Sequence, residues 1–252
     1  MRRAAIIGPA VIGLLTLLIL PPIAQDPRYH AFADQRTFFG IPNFWNVASN
    51  LPFLLVALWG GRALRSPSAF FQPWERLAYA VLLAAVAIVA AGSSYYHAWP
   101  DNDTLFWDRL PMALVFMSLL AATIGERTSP SAGRWLLLPL LAIGVTSVVW
   151  WKFSGDLRLY VVVQFYPMLA LPLMLVLFPP RYTGAAGVWS MIGLYALAKI
   201  LELFDHQISG FVATGGHPWK HISGAAAMLC YVETVARRRP IPGTLTTDEP
   251  RA

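Results

Sequence analysis

Apolar runs long enough to cross a lipid bilayer recur along almost the whole chain. They lie at about residues 4–22, 43–61, 76–97, 108–125, 135–151, 158–178, 186–206 and 217–236. A transmembrane helix needs about 20 predominantly apolar residues to span the hydrocarbon core. The composition agrees, since 57% of the residues are hydrophobic, only 13% are charged and the mean hydropathy is +0.54. The sequence therefore predicts an all-α, polytopic membrane protein without a separate soluble domain.

The charged residues and the single cysteine exclude several other classes of protein. The net charge is +6, but the basic residues are scattered and no aromatic-interleaved basic patch appears. Nucleic acid is therefore not an expected partner, and the membrane is. Cys230 lies in the last apolar run without a partner, which excludes a disulfide framework and a cysteine metal site.

The two ends of the chain differ from its middle. Residues 1–24 form a hydrophobic segment preceded by Arg2 and Arg3, and its end at PPIAQD resembles a signal-peptide cleavage site. The run is also long enough to span, and we favour a retained helix. Residues 25–236 form the transmembrane domain with an external N-terminal loop. The polar tail at 237–252 is predicted to be cytoplasmic and disordered.

The distribution of basic residues predicts the orientation. Most arginines fall on one side of the predicted membrane: Arg2, Arg3, Arg62, Arg65, Arg76, Arg127, Arg134, Arg181, Arg237, Arg238 and Arg239. The opposite side carries fewer basic residues: Arg28, Arg36, Arg109, Lys152, Arg158 and Lys220. Cytoplasmic loops are enriched in Lys and Arg, so both termini are predicted to be cytoplasmic. The loops near the histidines of the chain then face the extracytoplasmic side.

Five polar residues are predicted to lie at helix ends on that outer side. Ser93 and His97 are four residues apart, as are His217 and His221, so each pair shares one helix face. Asp108 opens the helix after His97. Each residue alone has an ordinary explanation, such as an interfacial histidine or a helix cap. Three neutral imidazoles leave one position of a tetrahedral zinc open, which is typical of a catalytic site.

These residues together resemble the signature of the alkaline ceramidases. The shared elements are G-S-x-x-x-H ending at His97, an aspartate eleven residues later followed by x-x-P-M, and H-x-x-x-H at 217–221. The segment IPNFWNVASNLPF at 41–53 resembles the F-W-N-x-x-S-N sequence that opens the core of that family. The wider superfamily of membrane hydrolases includes the adiponectin-receptor-like proteins. The resemblance covers about residues 34–236.

The resemblance implies a seven-helix transmembrane bundle, to which the first hydrophobic segment is additional. It also implies a zinc ion on His97, His217 and His221, with Asp108 and Ser93 as the catalytic residues. The implied reaction is hydrolysis of an N-acyl lipid such as ceramide to a fatty acid and a lipid amine. The lipid substrate is thus an expected partner.

The resemblance also raises the question of calcium. Animal and yeast members of that family bind calcium through an acidic N-terminal stretch and a glutamate just before F-W-N. That position is Asn43 here, and only Asp34 supplies a carboxylate in the preceding stretch. Calcium prefers several hard oxygen ligands. We therefore expect no tight calcium site, although Asp34 and Asn43 could contribute to a weak one.

A second polar cluster and three competing functions remain open at this point. The cluster consists of Glu202, Asp205 and His206. Glu202 and His206 share a helix face, and are candidates to support the metal ligands, to contact a substrate headgroup or to cap a helix. One competing function is a non-enzymatic receptor with a structural zinc. A retinal protein would need a buried lysine, and Lys220 lies too near the helix entrance. A bis-histidine haem protein could use His97 and His221.

Overall fold

The computed structural model describes residues 1–66 and 69–244, and these are mainly helical. The α-helices are α1 (Arg2–Ile19), α2 (Phe44–Ala48), α3 (Leu51–Gly60), α4 (Pro73–Ala98), α5 (Asn102–Arg127), α6 (Pro130–Ser154), α7 (Arg158–Leu177), α8 (Ala185–Leu203), α9 (Asp205–Ile208) and α10 (His217–Arg237). Short 3-10 helices lie at Pro27–His30 and Ala63–Arg65.

Within the described residues, seven helical segments are long and apolar enough to cross a membrane. They are α1, the α2–α3 unit at Phe44–Arg65, and α4 to α8. Helix α10 has 21 residues but is more polar, because it carries the two histidines and several charges. Counting α10, a seven-helix bundle and one additional N-terminal helix are present. The predicted all-α, multi-pass fold is confirmed.

The helix boundaries differ from the predicted ones where polar residues begin a helix. Helix α5 begins at Asn102, six residues before the predicted start at Asp108. Asp101 caps it by accepting a 2.7 Å hydrogen bond from the Thr104 N–H, and this bond lowers the pKa of Asp101. Hydropathy alone does not detect this first turn because capping residues are polar. Asp108 therefore lies inside the helix and is not a cap.

The bundle closes around a central space. Helix α4 packs on α5, α5 packs on α6 and α7, and α10 packs between α3 and α8. Helices α7 and α8 contact each other at few points. Buried residues such as Leu82, Val86, Met117 and Val232 form the core of these contacts. The histidine-bearing ends of α4 and α10 meet at the same end of the bundle.

Helix α1 lies outside the bundle against α7. The guanidinium of Arg158 donates to the carbonyl of Leu17 at 2.7 Å and also to that of Leu20. Ile23 bonds through its backbone to Leu157 at 2.8 Å and to the Asp156 carboxylate at 3.2 Å. These bonds attach the C-terminal end of α1 to the start of α7.

The described part of the tail also makes defined contacts. The guanidinium of Arg238 donates to the Ala69 carbonyl at 2.7 Å, and Thr183 donates through its N–H to the Arg239 carbonyl at 2.9 Å. This part of the tail thus packs at the end of the bundle opposite the histidines. The rest of the predicted disordered tail, residues 245–252, lies outside the described residues.

Candidate metal centre and cavity

Three histidines from two helices converge at one end of the bundle. His97 lies in the last turn of α4, and His217 and His221 lie in the first two turns of α10. The Nε2 atom of His97 lies 3.2 Å from Nε2 of His221 and 3.4 Å from Nε2 of His217. All three side chains are buried. The sequence spacing predicted a shared face for each helix, and the bundle brings the two faces together.

The distances from Nε2 of His97 to the other two ring nitrogens suit a tetrahedral metal ion. Zinc–nitrogen bonds of about 2.0–2.1 Å in a tetrahedron place neighbouring nitrogens about 3.3–3.4 Å apart. The triad could therefore hold a metal ion through the Nε2 atoms of His97, His217 and His221. Three buried neutral imidazoles whose nitrogens face one another cannot all donate and accept among themselves. A cation at their centre would satisfy all three lone pairs.

Ser49 orients the ring of His221. The Ser49 hydroxyl lies 2.8 Å from Nδ1 of His221 and donates to the carbonyl of Asn46 at 3.2 Å. With its proton engaged there, the hydroxyl oxygen accepts from Nδ1–H of His221. That tautomer leaves the Nε2 lone pair directed at the other histidines, as outer-shell partners of metal-bound histidines commonly arrange. Ser49 belongs to the F-W-N-x-x-S-N segment, which explains the serine in that segment.

Asp205 holds the start of α10. Its Oδ1 accepts from the backbone N–H groups of Gly216 and His217, each at 2.8 Å. The geometry needs glycine before the histidine: Gly215 has a φ of +68°, and a Cβ on Gly216 would lie 2.2 Å from the Leu201 carbonyl oxygen. A carboxylate at a helix N-terminus also interacts favourably with the helix dipole. Asp205 thus fixes the position from which His217 reaches the triad.

A close contact between α4 and α5 places Ser93 beside Asp108. A Cβ on Gly92 would lie only 2.1 Å from the Trp107 carbonyl oxygen, so only glycine permits this approach. The two helices therefore touch at the residues directly before Ser93 and Asp108. The Ser93 hydroxyl lies near the Asp108 carboxylate, and both side chains are buried. The glycine of G-S-x-x-x-H thus has a packing role.

A cavity of about 230 Å³ borders these groups and extends into the bundle. Ser93, Asp108 and His221 line it at one end. Most of its wall is apolar and comes from α4, α5, α7, α8 and α10, including Val89, Met112, Phe116, Leu171, Met191 and Met228. A long acyl chain suits such a wall, because its burial there removes apolar surface from water.

The loop before α2 covers the other side of the triad. The Phe32 ring packs on His97 and His217, with ring centroids 4.7 Å and 4.6 Å apart. Phe32 itself is only 3% exposed. Asp205 anchors this loop as well, because its Oδ2 accepts from the Ala33 N–H at 2.9 Å. The histidines are thus closed toward the loop, while His221 borders the cavity.

The comparison with known families agrees with this geometry. The sequence profile of the family described as Ceramidase matches residues 38–186, more than half of the chain. The chain belongs to the ceramidase family. Membership indicates a membrane amide hydrolase that acts on a ceramide-type lipid. No curated protein and no solved structure matches the chain.

The ceramidase match covers only part of the site. It includes Ser49, Ser93, His97 and Asp108, but ends before His217 and His221. The contribution of α10 to the site therefore rests on the distances between the ring nitrogens and not on the family match. Those distances also bear on the haem alternative: at 3.2 Å, His97 and His221 are too close to lie on opposite faces of a macrocycle.

The two residues considered for calcium in this ceramidase-family protein have other partners. The Asp34 carboxylate pairs with the Arg36 guanidinium, at 2.7 Å to Oδ1 and 3.1 Å to Oδ2. Asn43 donates through its side-chain nitrogen to the carbonyl of His97 at 2.8 Å. Asp34, which carries the only carboxylate of the stretch before α2, is thus already paired with the cationic side chain of Arg36. Asn43 instead connects the start of α2 to the end of α4.

The two candidates for support of the ligands, Glu202 and His206, bond to groups other than the histidine rings. Glu202 pairs with Lys199 and, at 2.7 Å, with Lys220. His206 is exposed, and its Nε2 lies 2.9 Å from the Ala31 carbonyl oxygen. Asp205, the residue between them in the same cluster, makes the bonds at His217. Spacing could not distinguish the three, because a short helix and a glycine turn follow α8.

Proposed function

We propose that this ceramidase-family protein is a zinc-dependent intramembrane amide hydrolase. It cleaves a ceramide-like N-acyl lipid to a fatty acid and a lipid amine such as a sphingoid base. The observation that carries the proposal is the histidine triad at the end of an apolar cavity that Ser93 and Asp108 also line. A structural metal would need neither the cavity nor the two additional polar groups.

The three histidines are the proposed zinc ligands. Nε2 of His97 lies from the other two Nε2 atoms at the spacing of ligands on a tetrahedral ion, and three protein ligands leave one of its four positions open. A zinc ion held by these residues would lower the pKa of water toward about 7 and so supply a nucleophile at neutral pH. Ser49 and Asp205 keep His221 and His217 in position for it.

Asp108 is the proposed general base and then general acid. It accepts a proton from water as the oxygen adds to the amide carbonyl carbon. It returns that proton to the nitrogen as the carbon–nitrogen bond breaks, which releases the amine. Ser93 is the proposed donor to the carbonyl oxygen as negative charge develops there. Both residues lie where the acyl chain in the cavity would end.

We place the site on the extracytoplasmic side and the C-terminus in the cytoplasm. The loops at the histidine end of the bundle carry few arginines, whereas the opposite end carries most of them. The support is the asymmetry in basic residues, which sets membrane orientation. The lipid then reaches Ser93 and Asp108 from within the bilayer, since Phe32 covers the histidines on the loop side.

Zinc analysis of histidine variants tests the metal centre. The wild-type protein should contain about one zinc per chain, and His97→Ala, His217→Ala and His221→Ala should each lose most of it. His206→Ala is the matched control, because this histidine is exposed and lies outside the triad. Stoichiometric zinc in all three triad variants would disprove the site.

Two further variants separate chemistry from metal binding. Asp108→Asn should retain zinc but lose about 10²–10⁴ in hydrolysis rate, because an amide cannot accept the proton of water. Ser93→Ala should lose about 10²–10³, the usual cost of one oxyanion donor. Turnover of N-acyl lipids is measured on purified protein in detergent. A zinc-replete Asp108→Asn variant with wild-type turnover would favour the receptor with a structural zinc.

A further inference from the structure

One buried arginine at the cavity has no acidic partner. Arg109 follows Asp108 on α5, lines the same cavity and is only 6% exposed. Among the described residues, no carboxylate oxygen lies within ion-pair distance of its guanidinium. Its Nη1 makes no hydrogen bond, and its Nη2 donates to the side chain of Gln25 at 2.5 Å. A charged side chain inside a membrane bundle is costly and commonly marks a functional site.

The other charges at the cavity are already paired. Lys199 and Lys220 line it, and both bind the carboxylate of Glu202, which lines it too. Asp108 is the proposed base of the reaction. Arg109 is therefore the cation of the cavity wall that remains available to a ligand.

Aromatic rings hold the Arg109 guanidinium in place. It lies 4.3 Å from the Trp151 ring centroid, 4.9 Å from that of Tyr160 and 5.5 Å from that of Tyr29. These rings offset part of the cost of burying the guanidinium, but they do not accept hydrogen bonds from the N–H groups in the guanidinium plane. The guanidinium is thus fixed in position with a free donor, which suits a planar anion such as a carboxylate.

The position of Arg109 along α5 indicates which part of a lipid it meets. Asp108 and Arg109 lie together toward the start of the helix, while Met112, Phe116 and Leu119 line the cavity deeper in the bundle. An acyl chain along the deeper wall would leave the polar end of the lipid beside Arg109.

We propose that Arg109 binds the carboxylate of a lipid held in the cavity, so that the enzyme accepts acidic N-acyl lipids such as N-acyl amino acids in addition to ceramide-like ones, and prefers them to neutral analogues of the same size. The inference rests on the proposed hydrolase function. Water adds across the amide bond: the carbonyl carbon gains hydroxide, the nitrogen gains the proton, and a fatty acid and an amino acid are released. The fatty acid product also carries a carboxylate, which could bind Arg109 in the same way.

Hydrolysis of a matched pair of lipids tests the inference. N-palmitoylserine carries a carboxylate where N-palmitoylserinol carries a hydroxymethyl group. The wild type should favour the acid in kcat/KM, and Arg109→Gln should lower the acid-to-neutral ratio by about tenfold to a hundredfold, the effect of losing a charge-assisted bond. Arg109→Lys, which keeps the charge without the planar fork, should fall between them. Arg109→Lys also allows the acid-to-neutral ratio to be measured if Arg109→Gln fails to fold.

The matched control removes a different buried arginine from the same helix. Arg127 is 5% exposed and lies at the opposite end of α5, away from the cavity. Arg127→Gln should leave the acid-to-neutral ratio unchanged. An equal loss for acid and neutral lipids in Arg109→Gln, with palmitate binding unchanged, would overturn the inference and leave Arg109 a structural residue.

Binding measurements separate the two carboxylate sources and the two proposals. Radiolabelled N-palmitoylserine, palmitate and hexadecanol are bound to Asp108→Asn protein with and without Arg109→Gln. Selective weakening of palmitate binding, with the substrate ratio unchanged, would assign the fatty acid product as the ligand. Ceramide is assayed beside the matched pair, and if the wild type hydrolyses neither ceramide nor either member of the pair, the hydrolase proposal fails. Selective loss of acid binding would then still support the role of Arg109, and its absence would remove that role.

Discussion

The contact between Gly92 and Trp107 gives the sharpest test of how the two catalytic helices are placed. A Cβ at Gly92 would lie 2.1 Å from the Trp107 carbonyl oxygen, whereas ordinary contact begins at 3.4 Å. The Trp107 carbonyl belongs to the backbone of α5, and a Cβ is fixed to the backbone of α4, so neither atom can rotate away. Gly92→Ala must therefore separate α4 from α5 by about 1 Å at the level of Asp108.

This displacement has a calculable effect on stability and rate. Overpacking costs about 1–3 kcal/mol, and the better helix propensity of alanine returns about 0.5–1 kcal/mol. The melting temperature should fall by only a few degrees for a chain of this size. Because Asp108 moves by about 1 Å relative to Ser93, turnover should fall about 10²-fold. Zinc should remain bound, since the contact involves none of its three proposed ligands.

The assay compares turnover, zinc content and melting temperature for Gly92→Ala and Gly193→Ala in detergent. Gly193 lies in α8, and a Cβ there would meet nothing within 4 Å. Gly193→Ala should keep wild-type turnover and gain a little stability. Wild-type turnover in Gly92→Ala would refute the proposed dependence of catalysis on this contact.

Three further predictions concern the support of the site, calcium and orientation. Asp205→Asn should weaken zinc retention against a chelator and lower the free energy of unfolding by about 1–3 kcal/mol, because the new amide N–H₂ faces a backbone N–H with which it cannot bond. The control is Asp156→Asn, which changes another buried loop carboxylate and should alter stability without altering zinc retention. Chelation of micromolar calcium should leave hydrolysis unchanged because Asp34 is already paired; loss of activity at constant zinc content would contradict this. In a cysteine-free background, Asn102→Cys should react with impermeant reagents in intact cells and Ser131→Cys should not, and the reverse pattern would overturn the orientation.

The sequence predicted the helices and the two histidine faces because both depend on local spacing. Apolar length identifies a membrane helix, and residues four apart share its face. The F-W-N-x-x-S-N segment was recognised as a signature, but the hydrogen bond from His221 to Ser49 joins residues 172 positions apart. No spacing rule reports such a contact, and only the packing of α10 on the α2–α3 unit creates it.

The residue of the second polar cluster that bonds at His217 could not be chosen from the sequence for a similar reason. Helical spacing pairs Glu202 with His206, but the chain leaves α8 before that pair can form a continuous face. Asp205 then turns toward the N-terminus of α10, where glycines make room for its carboxylate. A buried carboxylate is stabilised by backbone N–H groups, and the N–H groups that have no partner within a helix lie in its first turn.

A single carboxylate joins the metal ligands to the loop that covers them. Asp205 accepts from the His217 N–H through Oδ1 and from the Ala33 N–H through Oδ2, and Ala33 follows the Phe32 ring that packs on two of the histidines. The loop therefore cannot leave the triad without releasing a bond at the residue that also fixes His217. A bound ion that orders His217 would, by the same linkage, stabilise the loop in its closed position. Closure on that side leaves the apolar cavity as the route to the reacting groups, which suits a substrate that arrives from the bilayer.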